Sequence, residues 1–266
     1  MLPYGIRYLY NPNTALTSLS STTPRLGHHA KHIPASLIGH LQNSELASMS
    51  LLEGDSCDRL LRELSAIPDT YEAERCTAVT AGWNSYELHV ADPVSIMRTT
   101  LSNDTCLLDP AHVCGSDGYT AFVVNATTLG RVKSGVDPTW ENNARFVTQS
   151  TCHDDLSRSI APGSVSIWVY HMQGSKYHPD EFQIAGSNIS IMDDALSAGW
   201  DTQMYTLFEA SEHGQVVVDG TVKPVGGGGY VTGGGPSWLA PHFGLATDNA
   251  MQMAVVTPLG EIPTLT

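Results

Sequence analysis

The chain has 266 residues, 41% of them hydrophobic and 15% charged, with a formal net charge of −14. That composition supports a buried core but offers no Lys/Arg cluster, so nucleic acid and anionic membrane surfaces are poor electrostatic partners. No run of about 18 apolar residues occurs, so no membrane-spanning helix is expected.

Residues 1–56 read as a polar, flexible segment rich in Ser, Thr, Pro and His. Its start, MLPYGIRYLYNPNTALTSLSS, is broken by Pro3 and Pro12 and lacks the continuous apolar core of a secretory signal. GHHAKH at 27–32 either offers metal affinity or belongs to that polar tail. No CxxC pair occurs and the histidines are scattered, which argues against zinc. Residues 57–118 read as a loop and helix extension. Leu60, Leu61 and Leu64 share one face of CDRLLREL, 57–64, and YEAERCTAVTAGW, 71–83, reads as a second helix. Cys57, Cys76, Cys106 and Cys114 either form two local bridges or stay as buried thiols. Asn103, Asn125 and Asn188 each open a glycosylation-type triplet.

From Tyr119 the texture changes, and 119–266 reads as one α+β domain. YTAFVVNA, 119–126, is β-branched and aromatic, as strands are. Leu129, Val132 and Val136 then recur at helical spacing, and Pro138 is expected to end or kink that helix. RFVTQS, 145–150, is the next strand, which completes a β-α-β unit. SVSIWVY, 164–170, follows as a strand, and EFQIAGSNISIMDD, 181–194, as a hairpin around Gly-Ser. Thr202 is expected to cap a helix that stops at Gly214. VVV at 216–218 reads as a strand, and MQMAVVTPLGEIPTL, 251–265, as strand, turn and strand in an antiparallel mixed sheet.

VGGGGYVTGGG, 225–235, lies between apolar flanks, unlike a flexible spacer. No Lys-Ser/Thr follows its last glycine, and GxGxxG cannot be placed on it, so neither common nucleotide loop fits. Two readings stay open: an anion-binding nest of backbone N–H groups, or a tight turn where strands pack. The polar loop QSTCHDDLSRS, 149–159, offers hydroxyls, carboxylates, Arg158 and the nucleophilic imidazole of His153 at a strand end.

Together these two segments carry a resemblance. RFVTQSTCHDDLSRSIAPGSVSIWVYHMQG resembles the flavin-attachment segment of fungal FAD-linked oxidases. They belong to the berberine-bridge-like branch of the vanillyl-alcohol-oxidase, PCMH-type flavoproteins. GGGGYVTGGGPSWLAPHFGLATDNAMQMAVVTPLGEI resembles the same family's second segment, in the same order. The resemblance implies FAD as cofactor and a PCMH-type FAD-binding fold. It implies that His153 bonds the methyl carbon of the flavin ring. Gln149, Ser150, Thr151, Cys152, His153 and Asp154, with Arg158 and Ser159, would form the phosphate-side loop. Gly228, Gly229, Thr232, Gly233 and Gly234 would line the pyrophosphate and ribityl chain. Asp248 and Asn249 sit where the family's loop packs back on that site.

Val222 stands near the place where some relatives attach flavin through a cysteine, so a second covalent bond is not expected. The chain departs from the family pattern at Cys152 and Ser157, both glycine there, and at Pro236, histidine there. The Cβ of Cys152 is expected to crowd the loop. The implied activity is oxidation of a small organic substrate by hydride transfer to FAD, with oxygen as acceptor. The chain stops on what reads as a mid-domain hairpin. Against the resemblance the FAD-binding domain is expected to be truncated at its C-terminal side, without the substrate domain and the catalytic base. The alternative is a non-catalytic flavin-binding fragment or a subunit whose partner chain supplies them, and no catalytic residue is named. Family members are commonly exported.

Overall fold

The computed structural model describes residues 73–93, 95, 119–120, 122–156, 158–161 and 163–266. The chain divides into two compact units, one of residues 29–170 and one of residues 1–28 with 171–266, a division that falls inside the 119–266 segment. The helix expected over 57–64, the residue Asn103 and the cysteines 57, 106 and 114 lie outside the described residues. Cys76 stands on a described helix whose pairing is not shown.

In the unit of residues 29–170, two helices come first, α1 (Ala73–Gly82) and α2 (Tyr86–Val90). Then β1 (Phe122–Asn125), α3 (Leu129–Glu141), β2 (Phe146–Gln149) and β3 (Val165–Trp168) form a parallel sheet. Its strand order is β1-β3-β2. The expected β-α-β unit is present, but its two strands do not pair; the third strand enters between them. β3 is buried along its whole length, as a central parallel strand covered on both faces should be.

α3 starts at Thr128, whose Oγ1 accepts from Arg131 N at 3.2 Å. It lies over Val124 and Ile167: a Cβ added at Gly135 would stand 3.3 Å from Ile167 Cγ1. Pro138 does not end α3, which runs on to Glu141. The lost donor would have met the carbonyl of Ser134, a partly exposed residue where water can replace it. Thr139 Oγ1 donates to Gly135 O and Val136 O (3.0 and 2.7 Å), which ties the last turn. Asn143, at φ 49°, then turns the chain away.

In residues 171–266, β4 (Ser175–His178) pairs antiparallel with β7 (Ala195–Ala198), enclosing the hairpin β5 (Phe182–Gln183) and β6 (Ser190–Ile191). The hairpin and its Gly186 turn, at φ 73°, are where the alternation put them. α4 (Met204–Leu207) passes into a 3₁₀ turn (Phe208–His213) that stops at Gly214, φ 73°. Thr202 does not cap it. Its Oγ1 donates instead to Gly174 O at 2.8 Å, and Gln203 is the N-cap without a side-chain bond. The open N–H groups of Met204 and Tyr205 are met by Val225 O and Lys223 O.

Val216–Val218 is not a strand; Val217 and Val218 are buried without a ladder, Val217 against Leu196, Met204 and Leu207. α5 (Gly227–Thr232) and α6 (Ala240–Phe243) follow, then a 3₁₀ turn (Ala246–Asn249). β8 (Met253–Ala254) and β9 (Thr264–Leu265) close the chain as the expected antiparallel pair. Among the described residues, no helix is long and apolar enough to cross a membrane.

Candidate functional site

The parallel register sets Asn125, Trp168 and Gln149 side by side in the last row of the sheet. Side chains alternate across a strand, so these three share one face, and Val123, Ser166 and Val147 form the row beneath. α3 covers the opposite face. On the other face the polar atoms are buried and unpaired: Asn125 Oδ1, Gln149 Oε1 and Ser166 Oγ have no hydrogen-bond partner. An unpaired buried acceptor costs about 1–3 kcal/mol. Several at the C-terminal ends of parallel strands, where open α/β sheets bind ligands, form a floor suited to a polar guest.

The loop that begins there is built around Asp154. Its carboxylate accepts from Leu156 N and Ser159 N (3.1 Å each), from Arg158 N, and from Arg158 Nε and Nη2 (3.1 Å each). Burial raises its pKa, but these bonds and the Arg158 charge outweigh burial and hold the carboxyl below its ordinary value. Asp154 thus folds the loop from inside. Arg158 is exposed at its tip. Thr151 and Ser159 are buried, Ser150 and His153 partly so.

Cys152 stands at φ 60°, the left-handed region that glycine adopts without strain. Its side chain is 5% exposed, packs on Ile160, and holds Sγ 3.8 Å from Ser159 Oγ. Its Cβ therefore turns into the loop's own core. The departure from glycine strains the backbone more than it crowds the loop. Ser157 lies outside the described residues.

The middle of the glycine segment, Gly227–Thr232, is a helix, which neither open reading foresaw, and Gly234 and Gly235 follow in a turn at φ 99° and 68°. Gly227 N donates to Thr202 O (2.9 Å) and Gly228 N to Trp200 O (2.7 Å), so these N–H groups are not a nest. A Cβ on Gly228 would fall 2.3 Å from Trp200 Cδ2, so this glycine is required by packing. Gly229 and Gly234 open onto space: a Cβ there would meet nothing within 4 Å. Gly233 N bonds back to Gly229 O, and Thr232 Oγ1 donates to Gly228 O (2.9 Å). Pro236 accepts from Tyr230 Oη at 2.6 Å. Asp248 Oδ2 accepts from Leu245 N (2.8 Å), and Asn249 Nδ2 donates to Phe243 O and Leu245 O (2.9 and 2.7 Å). Both side chains thus hold the Phe243–Leu245 turn. The residues expected at the cofactor fall into two sets, one in each unit. Asn188 is exposed in the hairpin turn, whereas Asn125 is partly buried at the sheet's end.

Sequence reasoning did not find Asp219. It is partly buried near Tyr230, and burial pushes its carboxyl up to about 6. Burial first and then the Asp219 charge push Tyr230 up to about 12. The raised folded pKa of Asp219 means that the folded state holds the proton more tightly than the unfolded chain. Stability therefore falls as pH rises from the unfolded value of 3.8 to about 6, and the deficit persists above. Asp219→Asn is expected to raise the melting temperature at about pH 7.5 and to leave it unchanged at about pH 4.

This fold is that of the vanillyl-alcohol-oxidase type FAD-binding domain. The VAO-type flavoprotein MtVAO615 from Myceliophthora thermophila C1 matches with a TM-score of 0.74 at 24% identity, over 88% of this chain and 42% of that one. MtVAO713 from the same organism matches at 0.70 and 22%, over 90% and 42%. Sequence relatives agree. FAD-linked oxidoreductase ZEB1 of Gibberella zeae is 28% identical over 201 residues, 73% of this chain and 34% of that protein. FAD-linked oxidoreductase patO of Penicillium expansum is 30% identical over 200 residues, 73% and 34%. No protein-family model matches. Over the matched residues the chain is similar to the fungal FAD-linked oxidoreductases of the VAO/PCMH type. It spans about a third of the length of these sequence relatives.

Proposed function

We propose that this chain binds FAD at the end of its parallel sheet, with His153 as the point of attachment. The protein it represents would oxidise a small organic substrate, with oxygen as final acceptor. The observation that carries this reading is the set of buried, unpaired acceptors, Asn125 Oδ1, Gln149 Oε1 and Ser166 Oγ, beside the loop bearing His153. Asp154 holds that loop in shape, and Cys152 turns inward, so the residues present fit a bound flavin. When bound, the flavin supplies the hydride acceptor and passes electrons to oxygen. The chain's own residues bind and orient it. Asp154 keeps the segment from Thr151 to Ser159 from unravelling, and burial of Thr151 and Ser159 keeps water from its base.

Purified protein is expected to be yellow, with the colour retained in an acid-precipitated pellet. His153→Ala is expected to release that colour to the supernatant or lose it. Colour retained in the His153→Ala pellet would place the attachment elsewhere. A colourless chain that takes up no added FAD would overturn the cofactor reading. Asn125 and Gln149 carry no basic group, the Asp154 carboxylate is taken up by its bonds to Leu156, Arg158 and Ser159, and the resemblance assigns the substrate base to sequence beyond the matched third of its relatives. A flavin-holding chain without turnover is therefore the second reading. Peroxide release with small alcohols by this chain alone would exclude it.

A further inference from the structure

We infer that Gln149 is a specificity-determining acceptor for a neutral hydrogen-bond donor of the bound flavin, a ribityl hydroxyl or a ring N–H, and is not a phosphate contact. The inference rests on the cofactor reading above and sharpens it.

The orientation of the Gln149 amide is fixed from behind. Its Nε2 faces two backbone carbonyls, Asp92 O and Ser95 O, at 3.4 Å each. Carbonyl oxygens only accept, so turning the amide over would set Oε1 against both of them. Oε1 must therefore point away from the 92–95 turn. Gln149 is 0% exposed and this oxygen has no partner. It is the last residue of β2, directly before the loop that carries His153. Across Trp168 in the same row lies Asn125, whose Oδ1 is also buried and unpaired, and Ser166 Oγ lies one row below.

The chemistry of this face selects its guest. Val123, Asn125, Val147, Gln149, Ser166 and Trp168 include no cation. Amide oxygens repel phosphate oxygens, because both are acceptors. An O–H or N–H donor instead completes the Oε1 valence in a water-poor, partly apolar setting, where a missing donor is felt strongly. The pyrophosphate must be held by other groups, and Gln149 reads the flavin half of the cofactor.

Gln149→Met keeps the side-chain length and removes the amide. The full chain in a His153→Ala background, where no flavin is bonded, either wild type at Gln149 or carrying Gln149→Met, is titrated by flavin fluorescence with FAD and riboflavin, and by calorimetry with ADP, which carries phosphates and no flavin. FAD and riboflavin affinities are expected to fall about tenfold, the effect of one buried neutral hydrogen bond, with ADP unchanged. The variant without ligand is expected to melt within a few degrees of wild type, because removal of the unpaired acceptor offsets loss of the long Nε2 bonds to Asp92 O and Ser95 O. Lumiflavin, which lacks the ribityl hydroxyls, identifies the donor: affinity unaffected by Gln149→Met assigns a hydroxyl, and an equal fall assigns the ring N–H. Unchanged FAD affinity, or ADP falling as far as FAD, would overturn the assignment of Gln149. Failure of both proteins, and of the chain that keeps His153, to take up flavin would overturn the cofactor reading itself. Should Gln149→Met fail to fold, the His153→Ala chain that keeps Gln149 still decides. Affinity equal for riboflavin, lumiflavin and 3-methylriboflavin, whose ring N–H is blocked, would overturn the proposal.

Discussion

Gly228→Ala is expected to destabilise the protein by about 2–3 kcal/mol, while Gly229→Ala, one residue on, leaves stability unchanged or raises it by up to about 1 kcal/mol. The two glycines share a helix and a sequence context, and differ in what stands beside them. At Gly228 an added methyl would lie 2.3 Å from both Cδ2 and Cε2 of the Trp200 indole, a flat and rigid neighbour. The backbone cannot easily retreat, because Gly228 N donates to Trp200 O at 2.7 Å. At Gly229 the methyl enters open space, and alanine is simply the better helix former. Chemical denaturation of the two variants measures the difference. A Trp200→Ala background should relieve most of the Gly228→Ala penalty, and equal losses in both backgrounds would show that the indole is not the obstacle.

The second large effect is expected at Asp154. Asp154→Ala should cost about 2–3 kcal/mol, because it leaves the N–H groups of Leu156, Arg158 and Ser159 without their acceptor. Arg158→Ala should cost well under 1 kcal/mol, since the Arg158 side chain is 74% exposed and its ion pair is screened by water. The contrast isolates what the carboxylate does: it organises backbone, and the visible salt bridge is secondary. The pH dependence follows. The folded pKa lies below the ordinary value of 3.8, so the contribution of Asp154 is present above that value and is lost as pH falls through the folded pKa. Thermal melts of wild type and Asp154→Ala across acid pH should therefore converge. Flavin retention at His153 should fall in Asp154→Ala and persist in Arg158→Ala.

Much of this was readable before any coordinates. FVVN, FVTQ and VSIW are apolar runs of strand length, and the three strands form where they lie. Pro138 misled because its cost depends on whether the orphaned carbonyl reaches water, which the sequence does not state. SKYH and ALSA carry no clear alternation, yet pair as β4 and β7 across the sixteen intervening residues of the hairpin and its two short loops. Conversely, Val216–Val218 has strand composition but forms no strand beyond a single bridge at Val216, and burial of Val217 and Val218 accounts for those two residues. GGGYVT is a poor helix on propensity, and the bonds from Gly227 and Gly228 to Thr202 and Trp200 impose the helix from outside. The His153 loop was legible as chemistry. The partnership of Gln149 with Asn125 was not, because it exists only once β3 sets the register of both flanking strands. A polar residue closing each apolar run, Asn after FVV and Gln after FVT, was the available signal.

The strand order has a consequence for how this protein is made. β1 and β2 are each bonded to β3, with no ladder joining them to one another. A nascent chain that has emerged as far as Gln149 holds two strands and a crossover helix but no sheet. The loop that carries His153 is synthesised next, before the strand that anchors its root. Only when Val165–Trp168 arrives can the ladders close and the loop settle on a finished floor. The non-local pairings make this a slow step relative to helix formation. Under the proposed function, cofactor capture during synthesis waits for one late insertion, and translation halted between residues 153 and 164 would yield a ribosome-bound chain that carries His153 yet leaves flavin in solution.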